Sequence, residues 1–141
     1  MSVKNIIKAV KSYLTVSVVI LSLTGLSGCS KNSANSGKEN NMNISAQDAK
    51  KIMDTQSDYI ILDVRTKEEY DEGHIKDAVL IPDFELSGRA STELPDKDQL
   101  ILVYCRSGRR SKNSAEELKA LGYTNIREFG GIIDWPYETV K

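Results

Sequence analysis

Three short runs of almost unbroken apolar residues limit what this 141-residue chain can fold into: Tyr59-Ile60-Ile61-Leu62-Asp63-Val64, Ala78-Val79-Leu80-Ile81 and Leu100-Ile101-Leu102-Val103-Tyr104. Each is too short for a typical helix, is rich in β-branched residues and lacks the polar alternation of a strand with one wet face. Each therefore reads as a strand covered on both sides. Pro82 stops the second, and Asn125-Ile126-Arg127-Glu128-Phe129 is a fourth candidate. Helical spacing appears before and between them. Ser45 is placed as a cap, Asp48 follows in the first turn, and Ala46, Ala49, Ile52 and Met53 share a face. From Arg110 to Leu121, residues Ala115, Leu118 and Leu121 line up, and Gly122 stands where a C-terminal cap is wanted. Doubly buried strands alternating with helices predict an α/β fold, a mostly parallel central sheet flanked by helices on both faces. The length suits one domain, here residues 44–141.

The N-terminus has a different character. Lys4, Lys8 and Lys11 precede an apolar run from Tyr13 to Leu26, which Thr15, Ser17, Ser22 and Thr24 interrupt. A membrane-spanning helix needs about 20 predominantly apolar residues, so this run reads as a secretory signal rather than a span. It ends in Leu26-Ser27-Gly28-Cys29, which resembles the lipobox of bacterial lipoproteins. The resemblance implies that residues 1–28 are a signal peptide and that Cys29 carries lipid. The protein is then expected outside the cytoplasm, lipid-anchored to the bacterial cell membrane. Residues 29–43 would follow as the lipidated cysteine and a flexible polar tether, because they lack the aromatic and β-branched residues that build a core. The formal net charge of −1 excludes the strongly basic balance of a dedicated nucleic-acid binder.

There are two cysteines, and if Cys29 is lipidated then Cys105 has no partner within the chain. An unpaired thiol in an exported protein points to a reactive role. Its setting agrees: Cys105-Arg106-Ser107-Gly108-Arg109-Arg110 directly follows a buried strand and opens a helix. That is the carboxyl end of the sheet, where open α/β proteins place their ligands. A tight loop can turn successive N–H groups toward one centre, and the helix adds its positive end, so an anion is favoured there. Arg106, Arg109 and Arg110 add charge that is not lost at any relevant pH. All these effects favour thiolate over thiol, so no separate general base is required. A thiol-based binding or redox-sensing module without turnover is the competing non-enzymatic reading.

Cys105-Arg106-Ser107-Gly108-Arg109-Arg110-Ser111 resembles the active-site loop of single-domain rhodanese-like sulfurtransferases, whose pattern is C-x-x-G-x-R. Leu62-Asp63-Val64-Arg65, Glu69-Tyr70 with Gly73-His74-Ile75, and Gly130-Gly131-Ile132 with Trp135 are similar to further motifs of that family, in the same order. The resemblance implies a cysteine that takes a sulfane sulfur from a small anionic donor such as thiosulfate, becomes a persulfide, and passes the sulfur to a thiol or cyanide. It also implies that Arg106, Ser107, Gly108, Arg109 and Arg110 hold the anion or persulfide. Ile75 is followed by Lys76-Asp77-Ala78 where the family has proline and glycine, which predicts a different local turn. Cysteine phosphatases and arsenate reductases use a related C-x5-R loop, but the arginine fitting the pattern here is Arg110, which gives a loop one residue shorter. Asp63, Arg65 and Glu69 are expected to pair and brace the loops around the site. His74, the only histidine, is expected to be structural, and Trp135 to pack the closing segment. Neither a metal nor a cofactor is expected.

Overall fold

The computed structural model describes residues 42–141. The expected signal segment, Cys29 and most of the tether lie outside the described residues. Ten elements follow in order: α1 (Ala46–Thr55), β1 (Tyr59–Asp63), α2 (Lys67–Glu72), β2 (Val79–Leu80), a 3₁₀ turn (Asp83–Glu85), α3 (Leu86–Glu93), β3 (Leu100–Cys105), α4 (Arg109–Ala120), β4 (Ile126–Gly131) and a second 3₁₀ turn (Ile132–Asp134). The strands form one sheet in the order β2-β1-β3-β4, and every pairing is parallel.

This order follows from chain geometry. The β1-to-β2 connection steps one way along the sheet and β3-to-β4 the other, so connections of the same hand place their helices on opposite faces. Leu86, Ala90 and Leu94 of the α3 region and Ala115 and Leu118 of α4 pack with Leu62, Ile101, Val103 and Cys105 on one face. Ala49 of α1 packs with Ile61, Leu102, Tyr104, Phe129 and Trp135 on the other, and Tyr70 of α2 joins them. Alternate residues of β3 thus enter different cores, which is why the run shows no polar alternation. All six residues of β3 are buried.

Local chemistry fixes the element ends. Ser45 Oγ accepts a hydrogen bond from the Asp48 N–H at 3.0 Å, as its cap position requires. At α2, Thr66 Oγ1 accepts from Glu69 N–H, and Thr66 N–H donates back to Glu69 Oε2, a complete capping box. Gly122 adopts φ +93 after α4. The unusual turn after Ile75 closes through Ala78 N–H donating to Ile75 O at 3.1 Å, with Asp77 at φ +64. Asp tolerates that left-handed region at some cost. Folded pairing begins slightly before the expected domain start: Glu128 N–H donates to Met42 O and Ile44 N–H to Glu128 O, so residues 42 and 43 run alongside β4. Among the described residues no helix is long and apolar enough to cross a membrane.

Candidate functional site

The sheet reverses its direction of winding between β1 and β3, and their carboxyl ends define the crevice where ligands bind in folds of this kind. Cys105 is the last residue of β3, and Asp63, the last residue of β1, leads into Val64-Arg65 beside it. Val64 N–H donates to Tyr104 O at 3.1 Å and so carries the pairing up to the loop.

Between Val103 and Cys105 the register with β4 slips, so that Cys105 stands opposite Gly131. Gly131 is buried with no room to spare, since a Cβ built on it would lie 2.2 Å from Arg106 O. Ile133 N–H donates to the same carbonyl at 3.2 Å, which pins the loop from the other side. Gly108 then turns the chain into α4 with φ +91, and a Cβ there would lie 3.5 Å from Gly130 Cα. That contact would be ordinary, and it is the left-handed backbone angle that calls for glycine. Because Gly108 carries no side-chain cap, the first amides of α4 remain available to an anion.

The sulfur collects those donors. Gly108 N–H donates to Cys105 Sγ at 3.1 Å. Burial is the largest single influence on the thiol and pushes its pKa up. The Ser111 hydroxyl and the main-chain N–H groups of Ser111, Ser107 and Gly108 together outweigh burial and hold the thiol below its ordinary value. Only 1% of Cys105 is exposed, whereas Arg106, Ser107 and Arg109 stand at the surface beside it.

Arg110, expected among the residues that hold the anion or persulfide, is paired with a carboxylate. Its two terminal nitrogens donate to Glu69, Nη1 to Oε2 at 2.7 Å and Nη2 to Oε1 at 2.8 Å. This fork-to-fork pair lies within electrostatic reach of Cys105 and braces α4 against α2. The hydrogen bonds from Arg110 hold the Glu69 carboxyl down at about 2, against the opposing effect of burial. The expected pairing of Glu69 with the charges at the end of β1 is therefore replaced by one with the loop itself.

Asp63 and Arg65 do pair with each other. Arg65 Nη2 lies 2.7 Å from Asp63 Oδ2, and the same nitrogen donates to Gly73 O at 2.7 Å. Tyr104 OH donates to Asp63 Oδ2 at 2.6 Å and accepts from Ile75 N–H at 3.1 Å. One buried network thus joins β1, β3 and the loop before β2, and it leaves few unpaired groups beneath the site. His74 belongs to the same scaffold. Its ring stacks on Tyr70 with centroids 3.6 Å apart, Nδ1 lies 3.0 Å from Tyr70 O, and its main chain pairs with Val140. Trp135 is 9% exposed and packs against Phe129 and Tyr137. Among the described residues, no three His, Cys, Asp or Glu side chains are grouped so as to hold a metal ion.

Two residues at the site were given no role by the sequence. Ser111 Oγ donates to Glu128 Oε1 at 2.6 Å, directly behind the cysteine loop, and both side chains are buried. The signals for Ser111 are its place in the first turn of α4 and at the end of the stretch that resembles the family's loop. Glu128 stands out only as a charge inside an apolar strand.

The family model described as "Rhodanese-like domain" matches residues 45–136. The thiosulfate sulfurtransferase PspE of Escherichia coli is 39% identical over 80 residues, which cover 57% of this chain and 77% of that protein. Among solved structures, an E. coli rhodanese with bound anions superposes with a TM-score of 0.56 at 37% identity and covers 59% of this chain and 98% of its own. A rhodanese-like domain protein from Staphylococcus aureus superposes with a TM-score of 0.60 at 29% identity, covering 68% and 92%. With the matched span running from the cap of α1 to the end of the closing turn, and the cysteine loop inside it, the chain belongs to the rhodanese-like domain family.

Proposed function

We propose that the protein is a thiosulfate sulfurtransferase that works through a persulfide on Cys105. The observation that carries this reading is the ring of donors at the head of α4, which keeps the Cys105 thiol below its ordinary pKa despite burial. The thiolate attacks the outer sulfur of thiosulfate, the S–S bond breaks, and sulfite leaves with the electron pair. A thiol or cyanide acceptor then attacks the terminal sulfur of the persulfide, and Cys105 Sγ leaves as the thiolate. Arg106 and Arg109, exposed beside the loop, attract the dianionic donor, while Ser107 and Gly108 supply main-chain donors. Arg110, held by Glu69, contributes its field without direct contact. The printed activity of the E. coli relative supports the choice of thiosulfate.

The test is mass spectrometry of purified protein after exposure to thiosulfate. Cys105 should gain one sulfur and surrender it to cyanide, and Cys105→Ser should do neither. Full transfer by the serine variant would overturn the assignment.

The location of this activity is part of the same reading. Leu26-Ser27-Gly28-Cys29 supports export and lipidation, which would hold the catalytic domain at the outer side of the cell membrane on a polar tether. Incorporation of a labelled fatty acid that Cys29→Ala abolishes is the expected result. Equal labelling of that variant would refute it.

A further inference from the structure

Glu128 is a buried carboxylate with no ion pair among the described residues: it lies on β4 at 2% exposure and none of the salt bridges reaches it. A charge hidden this deeply is usually matched by a cation. Here Oε1 instead collects two neutral donors, Ser111 Oγ at 2.6 Å and Gly130 N–H at 2.9 Å. The same oxygen sits under Gly108, 3.9 Å from where a Cβ would be. One carboxylate oxygen therefore meets the first turn of α4, the cysteine loop and the return of β4.

Ser111 makes this contact chemically interesting. Its hydroxyl has one proton to give. Besides Glu128 it faces Gly108 O at 3.1 Å and Gly130 O at 3.3 Å. It thus sits on the residue whose N–H donates to Cys105 Sγ at 3.1 Å, where a hydroxyl proton favours the thiolate. Two of these acceptors carry full negative charge when ionised, the Glu128 carboxylate and the cysteine thiolate, and both compete for the one proton.

We propose that Glu128 is a positioning residue for Cys105 that acts through Ser111, holding the hydroxyl proton outright while the cysteine carries the transferred sulfur and sharing it with Sγ once the sulfur departs. The proposal rests on the sulfurtransferase reading, and its bookkeeping is simple. In the persulfide the charge lies on the terminal sulfur, and Sγ, bonded to carbon and sulfur, is a weak acceptor, so the hydroxyl turns to Glu128. Attack on the terminal sulfur breaks the S–S bond and sends the electron pair to Sγ. The hydroxyl then rotates toward the new charge, and its O–H bond stays intact throughout. A donor thus arrives where charge develops in discharge. The other charges nearby are Arg106 in the loop, Arg109 and Arg110 on α4, Glu69 on α2 and Asp83 ahead of α3 on the cysteine side. Lys112 and Glu116 of α4 line a surface hollow with Glu128.

The experiment compares the pH dependence of Cys105 alkylation by iodoacetamide in the parent, Glu128→Gln, Ser111→Ala and the double variant. Freed from the carboxylate, Ser111 should donate to the thiolate, so Glu128→Gln should lower the midpoint by about half a pH unit, roughly a threefold gain in thiolate below it. Ser111→Ala should raise the midpoint, and the Gln substitution should lose most of its effect in that background. In single-turnover discharge of the persulfide to cyanide, Ser111→Ala should be slower by about fivefold, because the leaving thiolate has lost a donor. An equal Gln shift with and without Ser111, or parental discharge by Ser111→Ala, would overturn the proposal. Should Glu128→Gln fail to fold, Glu128→Asp, which withdraws the carboxylate by one methylene, should shift the midpoint in the same direction. Absence of any persulfide in the parent would defeat the sulfurtransferase reading itself, and mass spectrometry reads that separately.

Discussion

Replacing Gly131 with alanine adds one methyl group at the point where β4 meets the cysteine loop, and the structure sets the size of the effect. The new Cβ would lie 2.2 Å from Arg106 O, 2.6 Å from Ser107 Cα and 2.7 Å from Arg106 C, all main-chain atoms that have no free end to swing aside. Non-bonded carbons rest about 3.5–4.0 Å apart, so residues 106 and 107 must retreat by about 1 Å. Gly131 has φ −116 and ψ 148, a region open to any residue, so backbone strain does not complicate the result. Overpacking of this kind costs about 1–3 kcal/mol, and in a domain of this size each kcal/mol lowers the melting temperature by about 4–8 °C. Activity should suffer more than stability. The displaced segment includes the Ser107 N–H, which helps hold the thiol pKa down, and adjoins Gly108, whose N–H donates to Cys105 Sγ. A misplacement of about 1 Å at a reacting centre costs about a hundredfold in rate. The assay is steady-state sulfur transfer from thiosulfate to cyanide, with a thermal melt and the pH midpoint of Cys105 alkylation measured on the same preparation. We expect kcat/KM to fall about a hundredfold, the alkylation midpoint to rise and the melting temperature to drop by several degrees. A variant with the parental melt and activity within a factor of two would refute the reasoning, since the loop would then not be held against β4 at that contact.

A companion substitution should act in the opposite sense. Gly88 lies in α3 at the surface, with nothing within 4 Å of an added Cβ, so Gly88→Ala should stabilise the fold by about 0.5–1 kcal/mol, read as a higher urea midpoint with unchanged sulfur transfer. The Glu69–Arg110 pair should appear in the acid limb of stability. The Glu69 carboxyl is held at about 2 in the folded protein, so its contribution is fully present above its unfolded value of about 4.3 and is lost as pH falls toward about 2. Glu69→Gln should therefore lose less stability than the parent between pH 5 and pH 3, measured by urea unfolding, and identical slopes would count against the pair.

Much of this was legible because burial on two faces leaves a strong mark. The β1 and β3 runs show no polar alternation since their neighbours in sequence enter different cores, a pattern that pointed to a mostly parallel sheet where every pairing is in fact parallel. The cysteine loop was legible because strand, cysteine, glycine, arginine and helix occur in a readable order. α2 escaped the apolar pattern because none of its residues is buried, and its real signature is the capping box Thr66-Lys67-Glu68-Glu69. α3 was obscured by its small residues, of which only Leu86 and Ala90 are buried. The role of Arg110 could not be read from spacing. Its partner, the Glu69 carboxylate that accepts from both terminal nitrogens, lies 41 residues away in the chain. Ser111 and Glu128 were hidden for a related reason, since their contact joins residues 17 apart across a helix-to-strand return.

The bridge from Glu69 to Arg110 also has a mechanical meaning. It starts on a helix whose tyrosine packs under one face of the sheet and ends on a helix that covers the other. The two helical layers are thus strapped together over the top edge of the strands, like the halves of a clasp. Sliding of either layer would tug directly on the first turn of the helix that carries the cysteine's donors. Loosening of the nucleophile's cradle and slippage between the layers should therefore occur as one event.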